Sequence, residues 1–253
     1  MTTSILIVTF DRDAEFLSYC LRTVAKFASG FQEVVVAAPH GHRGVEFVMS
    51  GFPQFRFHRF AETPGKGFLH HMLIKCMADV ICGTDTVLHL DSDCWLTGPM
   101  TPETYLKDGK IVMLYRSYEQ IRKNANHKDP PWNPLQLYWQ VASVMATCWT
   151  SPYEVMLRHP LCYYRTTYEK LRERIQEIHG IPLHEYIFRC RAEFPTGFAE
   201  FTTLGATAWE RHKDRYCWVD GKWGHLYQGV VRSGWSHRGI KDDERAEIEK
   251  LLA

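Results

Sequence analysis

Four short runs of almost wholly apolar residues constrain this 253-residue chain more than any other feature. "SILIVTF" (Ser4 to Phe10), "EVVVAAP" (Glu33 to Pro39), "TVLHL" (Thr86 to Leu90) and "KIVMLY" (Lys110 to Tyr115) lack the alternation of a half-solvated strand. They read as strands covered on both faces, the habit of parallel sheets flanked by helices. After the first run, Asp11 and Asp13 offer N-cap oxygens, and Leu17, Cys20, Leu21, Val24, Ala25 and Ala28 recur at helical spacing until Gly30. "FRFHRF" (Phe55 to Phe60) does alternate, so it is expected at the periphery of the sheet. A further helix follows "TPGKG", with Leu69, Met72, Leu73, Cys76, Met77 and Val80 on its apolar face and Lys75 on its polar one. The order strand, helix, strand, strand, helix, strand is that of an α/β domain with a mainly parallel sheet. In such sheets ligands bind beyond the carboxyl ends of the strands.

The texture changes after Tyr115. "RSYEQIRKNANHKDPPWNP" is polar, contains prolines and is long for a loop. Helices are then expected over Leu135 to Cys148, from a capping box Ser151-Pro152-Tyr153-Glu154 to before Pro160, over Thr166 to His179, and over "FAEFTTLGATAWERH". Asp220-Gly221 between the aromatic arms of "YCWVDGKWG" predicts a hairpin. A charged amphipathic helix closes the chain from Lys241 to Ala253. No repeat and no linker splits the sequence, so one domain over 1–253 is expected. Residues 1–115 form its ligand-binding half and 116–253 a helix-rich second half.

The formal charge of +1 gives no global field to attract nucleic acid or an anionic membrane. No window approaches eighteen uninterrupted apolar residues, and "MTTSILIVTFDRD" lacks the basic lead of a signal peptide. The eight cysteines contain no C-x-x-C pair and lie mostly in apolar stretches. Buried thiols in a reducing compartment are therefore expected, and a cytoplasmic location with them. His40, His42 and the pair His70-His71 lack cysteines at zinc spacing, and read as loop and helix-surface residues.

The third apolar run ends in "LDSD", Leu90 to Asp93. Two carboxylates one residue apart at the end of a buried strand repel each other and resist desolvation unless a cation or several donors compensate. A hard divalent cation does this economically, because oxygen ligands suit Mg²⁺ or Mn²⁺. An Asp-Ser-Asp that merely caps a turn into solvent is the plainer alternative.

With "ILIVTFDRD", "EVVVAAP" and the hydrophobic strand ending in "LDSD" in this order, the chain resembles the glycosyltransferases of the GT-A fold. The resemblance implies a Rossmann-like α/β fold, with a nucleotide-sugar-binding half over 1–115 and an acceptor-side half over 116–253. It implies a hexosyltransferase-like enzyme that moves a sugar from a nucleotide-sugar, a UDP-sugar by expectation, to an acceptor hydroxyl. On the family's pattern Asp93 is a direct metal ligand, while Asp91 meets the ribose, the metal or both, with Ser92 between them at the donor. Thr9, Phe10 and Asp11 fall where the family reads base and ribose, although Phe10 would serve equally as core. "FAEF" places Glu200 at a helix start, where inverting members carry the carboxylate that deprotonates the acceptor; a solvated glutamate stabilised by the helix dipole is the simpler alternative. "GWSHRG" places His237 where many members present a third metal ligand, with His225 a competitor. An imidazole beside carboxylates leans toward Mn²⁺ over Mg²⁺.

Lys66, at the helix start in "TPGKG", and Lys75 are candidates to meet phosphate, although Lys66 reads more simply as a solvated turn residue. The spacing is not that of a P-loop. A sugar-phosphate nucleotidyltransferase is the alternative enzyme, but "TFDRDAEF" has no glycine for the loop such enzymes place after the first strand. A non-catalytic module holding a structural cation is a third reading. The acceptor stays open among glycan, protein, lipid at a membrane face and modified nucleic-acid base. Lys110, Arg116, Arg122, Lys123 and Lys128, interleaved with Tyr115, Tyr118 and Trp132, would suit a flipped base or a stacking sugar.

Overall fold

Strand β1 (Thr3–Val8) is buried along its whole length and has a parallel neighbour on either side, β2 (Glu33–Pro39) and β4 (Thr86–His89). With β3 (Arg56–Phe60) and β9 (Leu161–Tyr164) the sheet runs β3-β2-β1-β4-β9, and only β9 is antiparallel. The computed structural model describes residues 1–63, 65–124, 133–157, 160–191, 197–223, 230–234 and 238–253. Branched side chains with no exposure (Ile5, Ile7, Val35, Val36, Val87) fill both faces of the central strands, as their unbroken apolar runs require. β3, the alternating segment, lies at the edge and is half-exposed, as expected.

Helices α1 (Ala14–Phe27) and α2 (Arg43–Ser50) carry the chain outward from β1 to β2 to β3. Helices α3 (Gly67–Cys76) and α4 (Ala78–Ile81) carry it back to β4. Crossovers are right-handed, so this reversal places the two groups on opposite faces. It also makes the gap between β1 and β4 a topological switch point, with a crevice outside their carboxyl ends. A second sheet is built around β7 (Lys110–Ser117), parallel to β10 (Tyr216–Asp220) and antiparallel to β6 (Leu106–Lys107) and β8 (Tyr153–Glu154). Helices α5 (Tyr118–Asn124), α6 (Asn133–Thr147), α7 (Arg165–His179), α8 (Leu183–Arg189) and α9 (Glu200–His212) make the second half helix-rich. Gly180 ends α7 at φ +67°, in the left-handed conformation that a Cβ disfavours. The fold is thus mixed α/β, with a mainly parallel central sheet flanked by helices.

Two sequence expectations fail here, and one strand was not foreseen. The capping box at Ser151 opens no helix; Tyr153 and Glu154 form β8 against Arg116 and Ser117. Ser151 Oγ accepts from the Tyr153 N–H two residues on (3.1 Å), which is a tight turn and not a helix cap. Glu154 is turned inward, accepting from Tyr118 Oη (2.7 Å), Thr202 Oγ1 (3.0 Å) and the Met156 N–H (2.8 Å). Burial pushes its carboxyl above the usual range. The Asp220-Gly221 pair makes no hairpin either: β10 runs parallel to β7, and Gly221–Trp223 is a 3-10 turn whose Lys222 N–H meets Asp220 Oδ1. "LCYY" supplies β9, a strand the sequence did not announce, because four residues in an antiparallel edge position need no flanking turn signal.

Five of the eight cysteines (Cys20, Cys76, Cys82, Cys94, Cys162) are buried, and all eight are free. The last helix, α10 (Asp242–Leu252), lies on α1. Ile248 is buried there, Arg22 makes a two-pronged pair with Glu249, and Arg245 meets Glu15. Among the described residues no helix is long and apolar enough to cross a membrane.

Candidate active site

Past the end of β1 the ladder to β2 is extended once more by the Thr9 N–H on the Ala37 carbonyl (3.0 Å), which buries Thr9. Asp11 is then fixed from two sides. Its carboxylate Oδ1 accepts the Val45 N–H near the start of α2 (3.1 Å), and its own N–H donates to His42 Nδ1 (3.1 Å). With Nδ1 accepting, the other ring nitrogen, Nε2, faces the Glu62 carboxylate at 3.6 Å. The Phe10 ring lies between His42 and His71, with centroids 5.7 and 5.5 Å away. A cavity of about 300 Å³ opens beside it, walled by Phe10, Asp11, Arg12, His42, Glu62 and Phe68. Gly67 also lines it, and a Cβ there would stand 2.3 Å from Glu62 Oε1. An aromatic wall rimmed by carboxylates, an imidazole and a guanidinium suits a flat ring with a polar edge.

At the end of β4 the chain turns over Asp91, Ser92 and Asp93 into β5 (Cys94–Leu96). Asp91 Oδ1 lies 3.0 Å from Lys75 Nζ, and the same ammonium lies 3.3 Å from Glu200 Oε1 at the first residue of α9. The Lys75 side chain is only 4% exposed and Glu200 7%, whereas Asp91 is 27% exposed toward the crevice. The Phe201 ring lies under the ammonium at 4.6 Å. Burial alone would lower the lysine's pKa, but Asp91 and Glu200 outweigh it and raise it, so the lysine stays charged. His71, one helical turn before Lys75, is driven the other way. Burial and the neighbouring ammonium take its pKa down to about 3, so it is a neutral imidazole.

Several sequence-based placements change. Lys75 does not lie on a solvated helix face, because α3 is covered on nearly all sides by the sheet, α8 and α9. His70 and His71 are not surface residues either. His70 Nε2 accepts the Thr63 N–H (2.9 Å), and its ring packs on Phe60 and Phe188. Lys66 is not simply solvated: its ammonium donates to the Phe188 carbonyl (2.7 Å). Thr9, Phe10, Asp11, Asp91, Ser92 and Asp93 do fall together at the switch point, joined by Lys75 and Glu200. Sequence reading missed His42, Glu62 and His71 as part of this neighbourhood. Only His71 carried a signal, its spacing of four residues from Lys75 on one helix. His225, His237, Lys128 and Trp132 lie outside the described residues.

Among the described residues no three His, Cys, Asp or Glu side chains converge to hold a metal ion. What the turn does offer is two carboxylates with oxygen donors of the hard kind, Asp91 and Asp93. That donor set fits a divalent cation shared with the oxygens of a bound ligand, and not a cage built by protein alone. The chain also arrives here from its C-terminal side. β11 (Val231–Ser233) pairs antiparallel with β5, and the Gly234 N–H donates to the Asp93 carbonyl (2.7 Å).

No family model matches the chain, and no curated protein does. Part of it is similar to solved structures. S. aureus TarS 1-349 shares 19% identity at a TM-score of 0.31, over 41% of this chain and 30% of that one. The same protein in complex with UDP gives 18% and 0.31, over 38% and 28%. A 4-diphosphocytidyl-2C-methyl-D-erythritol synthase gives 16% and 0.28, over 37% and 47%. This chain therefore spans less than half the length of each of these three.

Proposed function

We propose that this chain is a metal-dependent glycosyltransferase that takes a sugar from a nucleotide-sugar, a UDP-sugar in our reading, to an acceptor hydroxyl. The observation that carries the proposal is Lys75, which holds an aspartate of the β4 end and the first glutamate of α9 on one ammonium, while a ring-sized cavity walled by Phe10 and Asp11 opens past the end of the neighbouring β1. Base and ribose would lie against Phe10, Asp11 and Thr9, and the diphosphate over the turn at Ser92. Asp91 and Asp93, with His237 as third ligand, would hold a Mn²⁺ ion. The Gly234 contact to Asp93 supports this choice of histidine, since His237 follows three residues later. When bound, the cation supplies Lewis-acid stabilisation to the departing diphosphate.

Glu200 would take the acceptor proton. A carboxylate offers about four acceptor positions, so its pairing with Lys75 leaves room for a hydroxyl. A positioned base of this kind is worth about 10²–10⁴-fold in rate. Screening UDP-sugars for Mn²⁺-dependent hydrolysis and transfer tests the reading. Chelator and Asp93→Ala should each abolish turnover with the fold intact, and Glu200→Gln should keep donor affinity while transfer collapses by that factor. Full activity in chelator would sink the metal assignment, and an inverted product with near-normal transfer by Glu200→Gln would remove the base.

A further inference from the structure

A cation that the chain supplies itself lies against the Asp91 carboxylate. Lys75 Nζ is 3.0 Å from Asp91 Oδ1 and 3.3 Å from Glu200 Oε1, yet it is more deeply buried than either partner. A phosphate entering the crevice would meet the more exposed Asp91 and the turn at Asp93 before it reached this ammonium. Lys75 therefore acts on a ligand through the carboxylates it holds. Those charges sum simply. Asp91, Glu200 and Lys75 together carry one net negative charge, and Asp93 adds a second. An ammonium at 3.0 Å from Asp91 competes for that carboxylate with any other cation that shares it, and repels the newcomer across a poorly screened interior.

We infer that Lys75 is a positioning residue that sets the order of loading: its charge weakens the site's hold on a divalent cation alone, so the cation enters together with a nucleoside diphosphate. The inference rests on the glycosyltransferase reading and deepens it. A diphosphate restores the negative charge that the lysine has cancelled, and the cation is then held more strongly than by the two net charges of the empty site. The same ammonium fixes the distance between Asp91 on the donor side and Glu200 on the acceptor side.

The test is Mn²⁺ binding followed by electron paramagnetic resonance of the free ion, without nucleotide, for the wild type, Lys75→Met and Lys75→Arg. UDP titrations by calorimetry with and without Mn²⁺ accompany it. The wild type and Lys75→Arg should bind Mn²⁺ alone weakly. Lys75→Met should bind it at least about tenfold more tightly, because a repelling charge has gone. Thermal melts confirm the fold, and Lys75→Gln replaces the Met variant if that one does not fold. In the wild type Mn²⁺ should strengthen UDP binding. If it does so while Lys75→Met and Lys75→Gln bind Mn²⁺ no better than the wild type, the loading role is overturned and the proposed function stands. If Mn²⁺ has no effect on UDP binding, the metal reading falls and this inference falls with it.

Discussion

His71 shows how much one helical turn decides. It precedes Lys75 by four residues, so both side chains leave α3 on the same side. Only one positive charge is tolerated there. The two carboxylates keep the lysine protonated, while burial, Lys75 and Arg12 drive His71 to a pKa of about 3 against the opposing pull of Asp91 and the Val8 carbonyl. The sign for stability follows. An unfolded histidine takes its proton near pH 6.5, and the folded one resists until about pH 3. Across that window the unfolded chain holds the extra proton, so stability must fall as pH falls. His71→Gln should remove this contribution, and its stability should drop less than the wild type's between pH 7 and pH 5. Urea midpoints for both proteins at both pH values check this, and parallel losses would contradict it.

At the scale of elements, α9 is the most demanding. It presents Glu200 to Lys75 from its first position, Thr202 to Glu154 from the opposite side of the same turn, and then a bare backbone at Gly205 to Val155, the residue after β8. A Cβ at Gly205 would stand 2.3 Å from Val155 Cγ2, with Cγ1 and Cβ at 3.2 and 3.3 Å. Rotating a stiff valine cannot clear all three. Gly205→Ala gains about 1 kcal/mol of helix propensity. Overpacking costs about 1–3 kcal/mol, and with three close contacts the upper part of that range applies. We expect a net loss, measured as a lower urea midpoint, and a smaller loss when Val155→Ala accompanies it. α10 makes the opposite case. Its ion pairs to α1 are solvent-exposed and worth about 0–1 kcal/mol each. Ile248→Ala should cost about 2–5 kcal/mol, because that side chain is fully buried.

For the whole molecule, the two halves are interlocked. β9 from the second half completes the first sheet beside β4, and β10 lies parallel to β7 in the other. Asp79 of α4 is clasped by both terminal nitrogens of Arg172 on α7 (2.7 and 2.6 Å), and Lys75 and Glu200 join the halves at the site. Neither sheet can be completed by one half alone. Unfolding should therefore be a single cooperative transition, with calorimetric and van't Hoff enthalpies in agreement. Two separated transitions would show that residues 1–115 and 116–253 are independent after all.

The amino-acid sequence determined what local periodicity can encode. The unbroken runs at Ile5–Val8, Val34–Ala38 and Val87–Leu88 demanded strands covered on both faces, and the order of elements then demanded a mainly parallel sheet with a crevice at Thr9–Asp11 and Asp91–Asp93. Gly180 and the cysteines buried in apolar stretches were legible for the same reason. Tertiary structure decided whatever depends on partners far along the chain. Lys75 looked solvated, because a helix does not reveal that residues 125 positions later will cover it. Ser151–Glu154 resembled a helix cap until the edge of β7 offered it hydrogen bonds and the interior offered Glu154 two hydroxyls. A carboxylate pair at a strand end was visible from the start. The lysine that holds one member of it beside Glu200 could only be supplied by the fold, since no spacing rule relates positions 75, 91 and 200.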